Sequence, residues 1–258
     1  MEALLQDLKY ATRQLLRSPG FALVATLTLA VGIGANTALF SLATAILARP
    51  LPEIAAPEGL VWITPVDSRR GHPLMLSYPD FLDYRDSTQA FGEASAIAHV
   101  DFAISTGGEP ARVRGMLVSG DYFRMLGVRL ALGRGFLPDE DVIGAANSAV
   151  VISYRLWQER FGGDPKVIGR RMAIDGQPFT IVGVAPQRFN GTEHSEPRDV
   201  WVPISLAETR LPGFVNFLKS RDTWWLTAVG RLAPGVSIER ANAALSTVAA
   251  RIAKADSA

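Results

Sequence analysis

The side chains that could do chemistry in this chain are few and badly spaced for it. Its three histidines, His72, His99 and His194, lie far apart, without the short interval that sets two imidazoles on one helix face around a metal. With no cysteine there is no thiol nucleophile, no thiolate metal site and no disulfide framework. The acidic run Pro138-Asp139-Glu140-Asp141 has charge enough for a cation but lacks the glycine and distal glutamate of a calcium loop, so it reads as a solvated turn. Gly213 to Ser220 (GFVNFLKS) comes near a phosphate-binding loop, yet Leu218 stands where the second glycine is required and its side chain would obstruct the backbone cradle. Gly32-Ile33-Gly34 lacks the third glycine of a dinucleotide fingerprint, and no Gly-x-Ser-x-Gly elbow is present. Asn190-Gly191-Thr192 has the form of a glycosylation acceptor, which matters only in a secretory host. A net charge of +1 gives no nucleic-acid footprint. The expectation is therefore a chain without catalytic, cofactor or metal-binding residues, and not an enzyme.

What must be positioned is a domain on a membrane. Ser18 to Ala48 is 31 residues without Lys, Arg, Asp, Glu or His. A hydrocarbon core of roughly 30 Å needs about 20 helical residues, and a charge at its centre costs roughly 2.5 to 3.5 kcal/mol. The segment meets both conditions, and its excess length calls for tilt and for emergence before Pro50 and Pro52 stop the helix. Lys9, Arg13 and Arg17 precede it and Arg49 alone follows closely, so the N-terminus is expected in the cytoplasm and the remainder outside. The preceding stretch places Leu4, Leu5, Leu8, Ala11, Leu15 and Leu16 at helical spacing, so a cytoplasmic amphipathic interfacial helix is expected over 1–19, with an ordinary cap helix as the alternative. Pro19 and Gly20 mark its join to a membrane helix over 20–49. A cleaved signal peptide, with Ala43-Thr44-Ala45 as the cut site, would need an apolar run about half as long. Within the span, Thr28, Gly32 and Asn36 share one face and Ala30, Gly34 and Ala38 its neighbour. Gly32, Gly34 and Asn36 are candidates for packing against partner helices, although small residues are also simply tolerated in a tilted span.

Beyond Arg49 the pattern is mixed. Strands are expected at Leu60–Pro65, Phe91–Ala103, Ala111–Val118, Ala149–Ile152, Arg171–Ile174, Phe179–Val184, Trp201–Ile204 and Trp224–Leu232. Helices are expected after Ser77, over Asp121–Leu126, over Tyr154–Phe161 behind Ser153, and after Ser237. Asp175-Gly176 is the dipeptide of a tight hairpin turn. Turn residues become dense from Gly133, so a β-rich insertion is expected over about 133–219, inside a part covering 50–132 and 220–258. Trp157, Phe161, Gly162, Gly163, Gly176 and Gly183 are expected to set the core and turns of that insertion.

The residues then point to a family. LLRSPGFALVATLTLAVGIGANTALFSLATAILARPLP closely resembles the first membrane helix of MacB-type ABC transporter permeases of the FtsX-like family, in a branch found in acidobacterial and related genomes. SYPDFLDYRDSTQAFGEASA, SGDYFRMLGVRLALGRGFLPDED, AVVISYRLWQERFGGDPKVIGRRMAIDGQPFTIVGVAP and GRLAPGVSIERANAALSTVAARI resemble, in order, segments of the MacB-like periplasmic core domain. The resemblance implies an α+β fold: one N-terminal transmembrane helix, then a periplasmic core with a porter-like α/β part and an inserted β-rich part. It implies an inner-membrane permease that hydrolyses no ATP itself and transmits motion from a cytoplasmic ATP-binding subunit, to export or extract a substrate that no residue announces. Its partners would be membrane lipid, that ATP-binding subunit, a second permease subunit in a homodimer or heterodimer, and a periplasmic adaptor protein, with no nucleic acid. Such permeases carry three further membrane helices beyond the position of Ala258, so the sequence reads as the N-terminal part of such a permease, as a truncated gene product, a fragment of a longer permease or a working single-span subunit. The alternatives are a single-span, membrane-anchored periplasmic binding or adaptor module without transport activity, and, from a different class, an extracytoplasmic hydrolase.

Overall fold

The computed structural model describes residues 18–47, 52–66, 73–145, 148–192 and 197–255. The amphipathic stretch before Ser18, the basic flanks, the Pro50 stop, His72 and His194 lie outside the described residues. The chain forms two units, 1–50 and 51–258. In the first, Pro19–Leu47 is one unbroken helix, α1. Pro19 sits in its first turn, where the missing N–H costs nothing, and no charged residue occurs along it. At about 1.5 Å per residue its 29 residues exceed the roughly 30 Å of a hydrocarbon core. Over Pro19–Ser41 it is long and apolar enough to cross a membrane, and none of that stretch is buried within the protein.

The second unit is an α+β domain on a mixed, mainly antiparallel sheet. Its elements are β1 (Leu60–Ile63), α2 (Tyr78–Ser87), β2 (Phe91–Ser105), β3 (Ala111–Val118), α3 (Tyr122–Leu126), β4 (Leu132–Gly133), β5 (Ala149–Ile152), α4 (Tyr154–Phe161), β6 (Arg171–Ile174), β7 (Gln177–Val184), β8 (Val200–Pro203), α5 (Ala207–Arg210), β9 (Thr227–Leu232) and α6 (Ile238–Ala255). Local chemistry sets most boundaries. The Ser77 hydroxyl accepts the Asp80 N–H at the start of α2, and Ser153 accepts the Leu156 N–H at the start of α4. Gly127 and Gly162 end α3 and α4 in the left-handed conformation. β9 starts three residues later than the sequence pattern suggests. Leu226 pairs instead with Leu76 in the loop before α2, and Trp225 packs on Phe214 and Phe217.

Among the described residues nine strands join one sheet, and six of them close on themselves. β2 pairs antiparallel with β3, β3 runs parallel to β8, β8 is antiparallel to β5 and β5 is parallel to β7. β7 then pairs with β6, and β6 returns to β2 through Ile104↔Ile174 and Ser105↔Ala173. The long β2 makes this possible, because its first half, Phe91–Ile97, pairs with β9 while its tip reaches β6. β1 extends the sheet beyond β9, and β4 adds to β7. Four ring strands, β5, β6, β7 and β8, lie within 133–219, and two, β2 and β3, lie before it.

Alternation decides which residues fill the ring. Phe102, Ile104, Val150, Ile152, Ile174, Ile181, Val200 and Val202 belong to one apolar cluster, which continues to Phe81, Tyr84 and Val248 of the flanking helices. Their neighbours Met116, Val118, Val151 and Trp201 face the other way, against Tyr122, Phe123, Met125 and Leu126 of α3 and against Phe189. Strands covered on both faces read as continuous apolar runs, which is why every residue of β5 and β8 is buried.

Candidate functional site

The small residues of α1 stand open. A side chain built at Gly32 or Gly34 meets no atom within 4 Å, and Asn36 is exposed. The Thr28 hydroxyl on the same face donates to the Val24 carbonyl at 2.8 Å, so its polar group is satisfied within the helix. Thr28, Gly32 and Asn36 make a low-relief surface with one amide, and Gly34, about 200° round the helix from Gly32, opens on another side.

The residues picked out in the β-rich part are distributed around α4 and β7. Trp157 donates from Nε1 to the Asp164 carbonyl at 2.9 Å and meets Tyr154 edge-on at 5.2 Å. Phe161 is buried, with the Arg170 guanidinium 5.4 Å from its ring centroid. Gly162 and Gly163 direct their N–H groups to the Trp157 carbonyl, which closes α4. Gly176 follows Asp175 with both φ angles positive, the backbone of a tight hairpin turn. Gly183 has no room for a side chain: a Cβ would fall 2.4 Å from the Arg134 carbonyl oxygen. These positions shape the domain and do not converge on one cavity.

The polar groups are likewise dispersed. His99 is exposed on β2. The Leu218 N–H of the near phosphate loop donates to the Glu208 carboxylate at 2.9 Å, and Leu218 itself is buried, so that backbone cannot cradle a phosphate. Thr192 of the glycosylation motif is buried. The acidic turn differs from the solvated turn its composition suggests. Glu140 is 5% exposed because Arg134 grips both its oxygens, at 2.7 and 2.8 Å, and the Leu137 N–H donates to it. Burial pushes its carboxyl up, but the Arg134 fork and the Leu137 N–H more than offset this and hold it below the usual value. Asp199, under α4, is buried against a two-bonded Arg155 at 2.6 Å and the Ser153 hydroxyl at 3.2 Å. Asp141 accepts the Gly120 N–H at 2.6 Å and lies near Asp121, and the Oδ1 atoms of both are buried without a hydrogen bond. Burial and the Asp141 charge push the Asp121 carboxyl up to about 6, and burial and the same charge push Tyr78 to about 12. Among the described residues no three His, Cys, Asp or Glu side chains are grouped to hold a metal ion. A groove of about 510 Å³ runs between the end of β1 and α6, lined by Ile63, Val66, Tyr84, Leu245 and Ala249 among others.

The described residues thus comprise an apolar helix of spanning length and, after it in the chain, a sheet-built domain with flanking helices. The chain belongs to the MacB-like periplasmic core domain family, which matches residues 22–248, from within α1 to within α6, and places it among permeases of the ABC-transporter class. Over 100 residues it is 31% identical to the macrolide export ATP-binding/permease protein MacB of Burkholderia cenocepacia, which is 38% of this chain and 14% of that protein's length. The corresponding protein of Chromobacterium violaceum is 33% identical over 100 residues, covering 39% of this chain and 15% of the relative. In fold, the chain is similar to the periplasmic region of MacB from Actinobacillus actinomycetemcomitans, with a TM-score of 0.59 at 14% identity over 79% of this chain and 87% of that one. It is also similar to the extracellular domain of the ABC-type transporter YknZ from Gram-positive bacteria, with a TM-score of 0.50 at 15% identity over 72% and 86%. The matched stretches thus span about one seventh of the curated relatives' length.

Proposed function

We propose that the chain is the N-terminal part of a MacB-type ABC transporter permease and acts without catalysis. In this reading α1 spans the inner membrane with its N-terminus in the cytoplasm, and the domain stands in the periplasm. A cytoplasmic ATP-binding subunit supplies the energy, and the domain carries the resulting motion to the periplasmic side for export or extraction of a substrate. One observation carries the reading most directly: the family match starts inside the apolar helix and runs through to α6, so helix and domain are one inherited unit. The named relatives, which combine ATP-binding and permease functions, support the coupling to an ATPase. The change in turn density at Gly133 supports a porter-like part (50–132 and 220–258) bearing a β-rich part (133–219), with β2 and β3 of the first closing the ring of the second.

Gly32 and Asn36 would pack against one neighbouring permease helix and Gly34, about 200° round α1 from Gly32, against another, each from a second copy or a different subunit. The test is affinity purification of the chain from membranes of its own host after mild cross-linking. Recovery of an ATP-binding subunit in stoichiometric amount is expected. Recovery of the chain alone, or with a periplasmic protein alone, sinks the permease reading, and the second of these results favours a membrane-anchored adaptor. Cysteines placed on either side of α1, in a chain that has none of its own, would report orientation by their reach to an impermeant thiol reagent.

A further inference from the structure

The first described stretch after α1 does not enter the domain as a simple extended strand. Glu53 and Ala56 both have positive φ, 67° and 44°, and between them Ile54 is buried. Non-glycine residues in that region are strained, so something must hold the backbone there. Two groups do. The Ala55 N–H donates to the Leu126 carbonyl at 2.9 Å, and the side chain of Arg231 spreads across the same place. Its Nε donates to the Met125 carbonyl at 2.9 Å, one terminal nitrogen to Ala56 at 2.8 Å and the other to Ala55 at 2.7 Å. Met125 and Leu126 close α3, so their carbonyls have no partners within the helix and need outside donors. Arg231 thus satisfies an orphaned helix end and grips the lead-in segment with one planar, permanently charged group. The contact has no slack, because a Cβ at Gly127 would fall 2.6 Å from that of Ala55.

Arg231 lies on β9, opposite Leu60 of β1, and β9 leads through the Ala233–Gly235 turn directly into α6. The first segment of the domain and the strand feeding its last helix are therefore fastened to each other and to α3. We propose that Arg231 is a positioning residue that makes the segment leaving α1 and the base of α6 move as one piece, so that displacement delivered at either reaches the other. The idea rests on the permease reading for its purpose but not for its test.

The test uses the full chain in lipid nanodiscs, with spin labels on Glu53→Cys and Ala243→Cys, both exposed positions, and a control pair on Arg112→Cys and Gln177→Cys within the ring. The unmodified background is expected to give a narrow Glu53–Ala243 distance distribution. In Arg231→Ala that distribution should widen by about twofold and the Ala55 amide should exchange about tenfold faster, while the control pair and ring amides stay unchanged. Arg231→Lys, with a single donor head in place of the fork, should fall between the two, and Gly127→Ala should widen the same pair by wedging Ala55 away. A merely structural role would broaden both pairs together and would not be restored by lysine. An unchanged Glu53–Ala243 distribution in Arg231→Ala, or equal broadening of both pairs, overturns the proposal. No ATP-binding subunit is needed, so failure to recover one would count against the permease reading and leave this result standing.

Discussion

Asp175 seals the six-stranded ring against Ala103: its backbone N–H donates to the Ala103 carbonyl and its Oδ1 accepts the Ala103 N–H, each at 2.8 Å. The residue does this from the turn between β6 and β7, with a left-handed φ of 48°. A carboxylate there serves two ends, since Asp and Asn tolerate this backbone and carry an acceptor on a short arm.

Asp175→Ala should therefore lose both the acceptor and the backbone preference, costing about 1 to 3 kcal/mol, whereas Asp175→Asn should cost under about 1 kcal/mol. Urea unfolding of the two variants checks this. Equal losses would show that the bond to Ala103 does not hold the ring.

The ring's interior depends on a missing side chain. At Gly115 of β3 a Cβ would come within 2.3 Å of two ring carbons of Phe102 and 2.8 Å of Val200. Phe102 is wholly buried, so it cannot swing into solvent. Gly115→Ala should cost about 2 to 3 kcal/mol by overpacking, and Phe102→Leu in the same chain should recover part of that loss. A double-mutant cycle with no coupling would contradict the contact.

The contrast between local and distant order explains what the sequence could reveal. Ser77, Ser153, Gly127 and Gly162 act on residues within one turn, so their patterns mark helix ends directly. Asp175-Gly176 marks a turn for the same reason, but its bond to Ala103 spans 72 positions and leaves no local pattern. The parallel pairing of β3 with β8 and the return of β2 to β6 are equally silent in any short window, so the ring could not be read. Glu140 looked solvated because its partner Arg134 lies among turn residues. Arg231 gave no signal because its acceptors are backbone carbonyls, which every residue has.

The carboxyl of Asp121 makes stability depend on pH. Its value rises from 3.8 to about 6, first through burial and then through the Asp141 charge, against the pull of its own backbone N–H and of Arg85; Arg124 stands at 4.0 Å. An acid whose folded value is the higher one binds its proton more firmly when folded. Its contribution is complete below about pH 4 and is lost as pH rises through about 6. Asp121→Asn removes the charge that burial disfavours, and should flatten this slope and raise stability at pH 8 by about 1 kcal/mol. Urea midpoints measured between pH 4 and 8 decide the matter, and an Asn variant with the parental slope would place the titration elsewhere.

The open face of α1 carries the remaining expectation. In lipid there is little hydrophobic gain from helix contact, so close approach and interhelical hydrogen bonds must supply it, and bulk at a small position blocks approach directly. Gly32 has nothing within 4 Å of its Cβ position, so Gly32→Leu adds no strain within the helix and leaves the domain untouched. Cross-linking between permease helices in native membranes should fall several-fold in this variant, by about 1 kcal/mol of association. Asn36→Leu should fall comparably if its amide bonds across the interface, while Leu23→Ala, on the same helix at an exposed apolar position, should leave the yield unchanged. Undiminished cross-linking in Gly32→Leu would remove the assignment of Gly32 to a packing face.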